Sequence, residues 1–178
     1  MKRQLSAIWF GLALAAFSMS NASAEEKCKV SRVVPAANST YTQQHVLDVG
    51  DVPGHQVRVF ELHRTYPADT KPNCEGFKPT ESWVRGVSDF IDRNGRVSGY
   101  EVIVLDNGDK IFVDWSGVSQ TLVGPDGSKT TTYYGVSRYT GGTGRYQGIR
   151  GVQRESVVAD IDKKTNEVRS EGEYWFEK

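Results

Sequence analysis

From Ser82 onward the chain alternates apolar and polar positions with a period of two, and no stretch keeps a helical period over three turns. The β-rich runs cover 82–91, 96–105, 110–121, 129–139, 149–161 and 168–176. Turn chemistry separates them. Arg93-Asn94-Gly95 and Asp106-Asn107-Gly108 predict hairpins with Asn-Gly at the positive-φ positions, Gly124-Pro125-Asp126-Gly127 a proline-led turn, and Lys163-Lys164-Thr165-Asn166 a polar one. Two more strands are predicted upstream, at 57–66 and, shorter, at 45–49. The total is an all-β chain of about eight antiparallel strands in sequence order, and such a meander loses its edges most simply by closing into an up-and-down barrel.

The same alternation sorts side chains between faces. In the last run Val168, Gly172, Tyr174 and Phe176 share one face, while Glu167, Arg169, Glu171, Glu173 and Glu177 share the other, so one side is interior and one is wet. The run from Val57 is ambiguous. With Val57, Val59, Glu61 and His63 inward, a carboxylate and an imidazole share a low-dielectric cavity as a general acid or base; with Phe60 and Leu62 inward, Glu61 and His63 are solvated. Glu101 shares a face with Val97, Ile103 and Leu105, and a buried carboxylate there needs a partner or a proton. Tyr100, Val102 and Val104 make the opposite face apolar too, which fits a wall covered outside by a subunit or by the N-terminal arm.

Lys2 and Arg3, the apolar run from Ala7 to Phe17 and Ala22-Ser23-Ala24 read as a secretory signal over residues 1–24, too short to cross a bilayer. Residues 25–178 then form one exported domain, periplasmic or secreted, with 25–44 as an irregular arm and 66–80 as a long loop holding three prolines. Cys28 and Cys74 are the only cysteines, and in an oxidising compartment they are expected to pair. The 22 basic and 22 acidic residues balance. No positive field for nucleic acid and no basic amphipathic helix for a membrane surface are present in the sequence.

Between two of the predicted strands lies Tyr139-Thr140-Gly141-Gly142-Thr143-Gly144-Arg145-Tyr146-Gln147-Gly148-Ile149-Arg150-Gly151, whose five glycines mark a tightly packed reversal. Gly142, Gly144 and Gly148 do not have the dinucleotide spacing, and the segment joins strands with no phosphate-cradling helix after it. The stretch resembles the Gly-Gly-Thr-Gly-basic-aromatic-x-Gly connection of the allene oxide cyclase and dirigent-like β-barrels. That resemblance implies a barrel of the allene oxide cyclase-like type, is compatible with a homotrimer, and brings to mind an interior carboxylate that polarises substrate, although no catalytic residue can be carried over by motif.

Three functional readings follow. A barrel binding a small apolar molecule in its mouth would use aromatic residues such as Trp115, Tyr133, Tyr174 and Phe176 as lining. An isomerase or cyclase would add Glu61, His63 or Glu101 as acid or base. A structural or partner-binding barrel would have a filled interior. His45, His55 and His63 lack metal-site spacing, no nucleophile elbow occurs, and neither metal nor cofactor is expected. An interior cavity of about 300 Å³ or more separates the first two readings from the third.

Overall fold

The computed structural model describes residues 26–160 and 165–177; the stretch 1–24 expected to be a signal segment, and Lys163-Lys164 of the expected polar turn, lie outside them. The described chain is all-β. Its strands are β1 (Cys28–Val34), β2 (Ser39–Asp48), β3 (His55–Thr65), β4 (Pro79–Ile91), β5 (Asn94–Leu105), β6 (Lys110–Val123), β7 (Lys129–Gly142), β8 (Ile149–Asp160) and β9 (Thr165–Phe176). They form one antiparallel sheet in the order β1-β9-β8-β7-β6-β5-β4-β3-β2.

The two outer positions of that sheet belong to consecutive strands. Followed through the alternating ladder, β1 and β2 run in the same direction, and only Pro35 and a one-turn 3-10 helix (Ala36–Asn38) separate them. Parallel neighbours need a crossover of a dozen residues or more, so these strands are successive lengths of one interrupted strand. Its first half pairs with β9 and its second with β3. Both β2 and the 3-10 turn pack against β9, which draws the edges together although the hydrogen-bonded ladder does not close. The arm expected to be irregular over 25–44 is therefore largely strand. Its apolar alternation is weak, because the interior positions of β1 and β2 include Arg32 and Gln44 as well as Val30 and Tyr41.

Hairpin geometry departs from the expected Asn-Gly pairing at both sites, at Asn107 because only Gly108 of that pair takes a positive φ. At Asp106-Asn107-Gly108 the glycine takes φ 85° and the loop closes with Gly108 N–H donating to Leu105 O at 2.9 Å. Between β4 and β5 the left-handed pair is Asp92 (φ 49°) and Arg93 (φ 67°), two residues before Asn94-Gly95, of which only Gly95 also has a positive φ (151°). Asn94 instead braces the turn, donating to Asp92 O at 2.9 Å and accepting from Thr121 N–H at 2.8 Å.

One end of the barrel is plugged. Ile103, Leu105, Ile111, Tyr139, Tyr146, Ile149 and Tyr174 form a buried cluster there, with Tyr66, Phe77 and Phe176 packed against it. The 66–78 loop lies over this cluster, tied by the Cys28–Cys74 disulfide, by Asn73 Nδ2 donating to the Tyr146 hydroxyl at 2.5 Å, and by the Tyr174 hydroxyl donating to Glu75. The glycine-rich connection serves this end by delivering Tyr146, which is fully buried, into the plug. Gly144 turns at φ 51°, and a side chain on it would also run into the Asp109 carboxylate. Gly142 is constrained by space, since a Cβ there would lie 2.5 Å from Lys110 O and 2.6 Å from Tyr146 Cβ. Gly141 faces a bulge opposite Phe112, Gly148 turns at φ 74°, and Gly151 backs onto Tyr174.

The disulfide closes a loop of 46 residues in sequence separation, so replacing both cysteines with serine is expected to cost on the order of 4 kcal/mol in denaturant unfolding. Gly142→Val and Gly144→Val should each lose at least about 1 kcal/mol. Melting of either variant with the wild type would show that the connection is not sterically constrained.

Candidate functional site

Alternation along a curled sheet aims every second residue inward, and here the inward positions of the middle strands are unusually small. Gly86 and Gly99 face each other across β4 and β5, and Gly117 and Gly135 across β6 and β7. Large rings occupy the room they leave. A Cβ on Gly86 would lie 2.5 Å from Phe60 Cζ and 2.9 Å from Trp115 Cη2, and one on Gly117 would lie 2.5 Å from Tyr133 Cε2. Phe60, Trp115 and Tyr133 thus lie back against the wall, with Phe60 and Trp115 ring centroids 6.3 Å apart and Trp115 and Tyr133 5.9 Å apart. The axis of the barrel stays open.

The resulting cavity measures about 380 Å³ and is lined from β2 through β9. Phe60, Leu62, Val84, Val97, Trp115 and Tyr133 make its apolar walls. Toward the plugged end lie Arg64 and Glu101, with Arg64 Nη1 3.3 Å from Glu101 Oε1. Glu101 is 6 % exposed, so this is a buried ion pair, whose attraction must offset the desolvation of both charges. Glu155, from β8, also lines the cavity. Burial, reinforced by the negative charge of Glu101 and opposed by Arg64, holds its carboxyl above the usual carboxylate range. Burial likewise raises the Tyr133 phenol far above its ordinary value, keeping it a neutral hydroxyl.

Toward the other end the lining changes character. Gln44, Gln56, Arg58, Phe90 and Arg93 surround the mouth, beside the turns that join β2 to β3 and β4 to β5. His55 clamps these two hairpins together, with Nδ1 2.6 Å from Asp51 Oδ1 and Nε2 2.8 Å from Asp89 Oδ1. Those bonds raise its pKa, the one to Asp89 most, and the His55 bond in turn lowers that of Asp51. His55, which the sequence marked only as lacking metal-site spacing, is thus a bridging residue.

Of the sequence-predicted site residues, Glu101, Trp115 and Tyr133 line the cavity. Tyr174 and Phe176 belong to the plug. Glu61 and His63 are on the outer wall, a correction of the inward alternative for that strand: Phe60 and Leu62 are the buried residues, Leu62 at 1 % exposure. Outside, Glu61 pairs with Arg85 at 2.8 Å and accepts from Thr42 Oγ1 at 2.8 Å, while His63 stacks on Trp83 and bonds Glu81 at 2.7 Å. Strand periodicity is blind to this choice, because inverting the register serves it equally well.

Arg58, Arg64 and Glu155 went unnoticed in the sequence. The first two share the face of Phe60 and Leu62, so the alternation that makes those two core also puts two arginines inside. The paired inward glycines were a usable signal, since glycine in mid-strand marks close approach of another group. Among the described residues no cluster of three or more His, Cys, Asp or Glu is arranged for a metal ion. Comparison with family models, curated proteins and solved structures returned no match to this chain.

Because the folded state holds the Glu155 proton more tightly than the unfolded chain, stability should fall as pH rises from about 4.5 through the folded-state pKa. Glu155→Gln should flatten that part of the pH–stability curve. An unchanged curve for the variant would mean that Glu155 is not the group responsible.

Proposed function

We propose that the protein is an exported barrel that binds a small, predominantly apolar molecule in its cavity. The observation that carries this reading is the 380 Å³ space walled by Phe60, Val84, Val97, Trp115 and Tyr133, which falls within the size range of small-molecule sites and runs against a filled interior. Export rests on the signal-like N-terminus and is in keeping with the disulfide. The glycine-rich connection supports kinship with the allene oxide cyclase and dirigent-like barrels. A homotrimer, the assembly that kinship suggests, would cover the outer wall, where Val59, Val87, Tyr100, Val118, Tyr134 and Val136 are exposed, Tyr100 at 71 %.

A second reading, isomerisation or cyclisation of a reactive apolar molecule, is favoured by Glu101 and Glu155 in the cavity lining. A carboxyl held partly neutral by burial is able to donate a proton, and an ionised one to accept it. In this reading Glu101 takes the place first considered for Glu61 and His63.

The test is uptake of N-phenylnaphthylamine, a neutral probe that fluoresces in apolar surroundings, by the folded protein. Wild type should bind it in a saturable way. Val157→Trp, at a half-buried lining position on β8, should abolish binding while leaving the melting temperature within a few degrees of wild type. Absence of uptake by wild type, of this probe and of its sulfonated analogue alike, would remove the binding reading.

A further inference from the structure

We propose that the natural ligand is an aromatic anion, with its acidic group at Arg58 and its ring system against Phe60, Trp115 and Tyr133; this rests on the cavity being a binding site. Arg58 is the best-placed charge. It projects from the interior face of β3, and its guanidinium carbon lies 4.6 Å from the Phe60 ring centroid and 5.5 Å from that of Tyr41. Its hydrogen-bond partner is neutral, Gln44 Oε1 at 3.0 Å from Nη1. Among the described residues no carboxylate comes within 4 Å of Arg58, and its buried Nε has no partner. A guanidinium held between aromatic rings over a cavity, with a donor unspent and no counter-ion, is costly unless an anion completes it.

Three further unsatisfied groups in the lining can donate to an oxygen-bearing ligand, while Ser88 Oγ and the acceptor Asn166 Oδ1 are unpartnered there too. Trp115 Nε1 and Arg64 Nε, both donors only, are buried in the lining without partners, as is the Tyr133 hydroxyl. Arg64 is 8 % exposed. The charges are also segregated. Glu101 and Glu155 lie with Arg64 toward the plugged end, whereas the mouth half carries Arg58 and Arg93. Asp48, near the rim, accepts a hydrogen bond from Gln56 at 2.8 Å. Arg93 is itself held at φ 67°, a conformation costly for a side-chain-bearing residue, in the turn that puts it on the cavity lining. Arg58 and Arg93 are thus the lining charges nearest the mouth, while the rim carboxylates of Asp48, Asp51 and Asp89 already accept hydrogen bonds from Gln56 and His55.

The aromatic part of the inference comes from the wall. The rings of Phe60, Trp115 and Tyr133, seated beside Gly86, Gly99 and Gly117, all line the cavity, and a flat ring system can touch several of them at once.

Two probes with one ring system separate the terms: anilinonaphthalene sulfonate, an anion, and N-phenylnaphthylamine, which lacks the sulfonate. Wild type should bind the anion at least about tenfold more tightly, as expected for a charge-assisted hydrogen bond in a sheltered site. Arg58→Met, which keeps an unbranched stem over Phe60, should bring the ratio of the two affinities close to one, and Arg58→Lys should keep part of the preference. Val157→Trp should remove binding of both probes, placing them in the cavity. Equal affinity of wild type for the two probes, or an undiminished preference in Arg58→Met, overturns the proposal while leaving the cavity a binding site. Failure of wild type to bind either probe overturns both readings.

Discussion

The short jog between β1 and β2 is the constraint on which the rest of the architecture depends. A nine-strand antiparallel ladder has two edges, and placing those edges on strands that run the same way with only Pro35–Asn38 between them leaves the sheet one way to lie. It must curl until its ends meet. Once it does, every second residue of each strand points at a common axis, and the identity of those residues decides whether the axis is filled, wet or open. Pro35 has a specific part in this. Its fixed φ of −61° and missing N–H suit the point where β1 leaves the β9 ladder, and the turn that follows moves the chain across to β3.

Inside that wall, glycine and aromatic residues act as a pair. A barrel of this size is ordinarily packed with side chains, and five large rings from Tyr41, Phe60, Phe90, Trp115 and Tyr133 are enough to fill much of it. They leave a cavity because Gly86, Gly99, Gly117 and Gly135 remove four side chains from the same surface. The rings spend their bulk on the wall and the axis stays free. The plugged end uses the opposite device: Tyr139, Tyr146, Tyr174 and Phe176 meet one another across the axis, with Tyr139 and Tyr174 centroids 5.7 Å apart. One barrel therefore has a solid half and a hollow half, and the disulfide-tied loop lies over the solid one.

Much of this was legible in the sequence, and the parts that were not share a cause. Strands β4 to β9 announce themselves because alternation and turn residues agree. The disulfide follows from two cysteines in an export context. Glu101 was legible as an inward residue because Val97, Ile103 and Leu105 share its face. At β3 both faces carry apolar and polar residues, so periodicity has no preferred phase. Placing the arginines required knowing that Phe60 and Leu62 are core. The β4–β5 turn shows a different limit. Local chemistry favours Asn94-Gly95 at the positive-φ positions, but Gly95 is taken up by close packing on Asp89, and the turn moves two residues back onto Asp92 and Arg93. Tertiary contact overrides the local preference there.

The buried charges explain why the hollow half need not collapse. Arg64, Glu101 and Glu155 sit where the cavity meets the plug, with Arg64 paired to Glu101 and attracting Glu155, which Glu101 repels. Replacing such a cluster with apolar residues of equal volume is often neutral or stabilising, so its presence is not explained by stability alone. A polar floor does serve a ligand. It sets a depth beyond which an apolar body cannot travel without desolvating charges, and it leaves the ring-lined space above as the favourable station. With guanidinium groups at the mouth and a mixed-charge floor below, the apolar section between them is bounded at both ends, and on the proposed binding reading such a section favours a compact ligand over a long flexible chain.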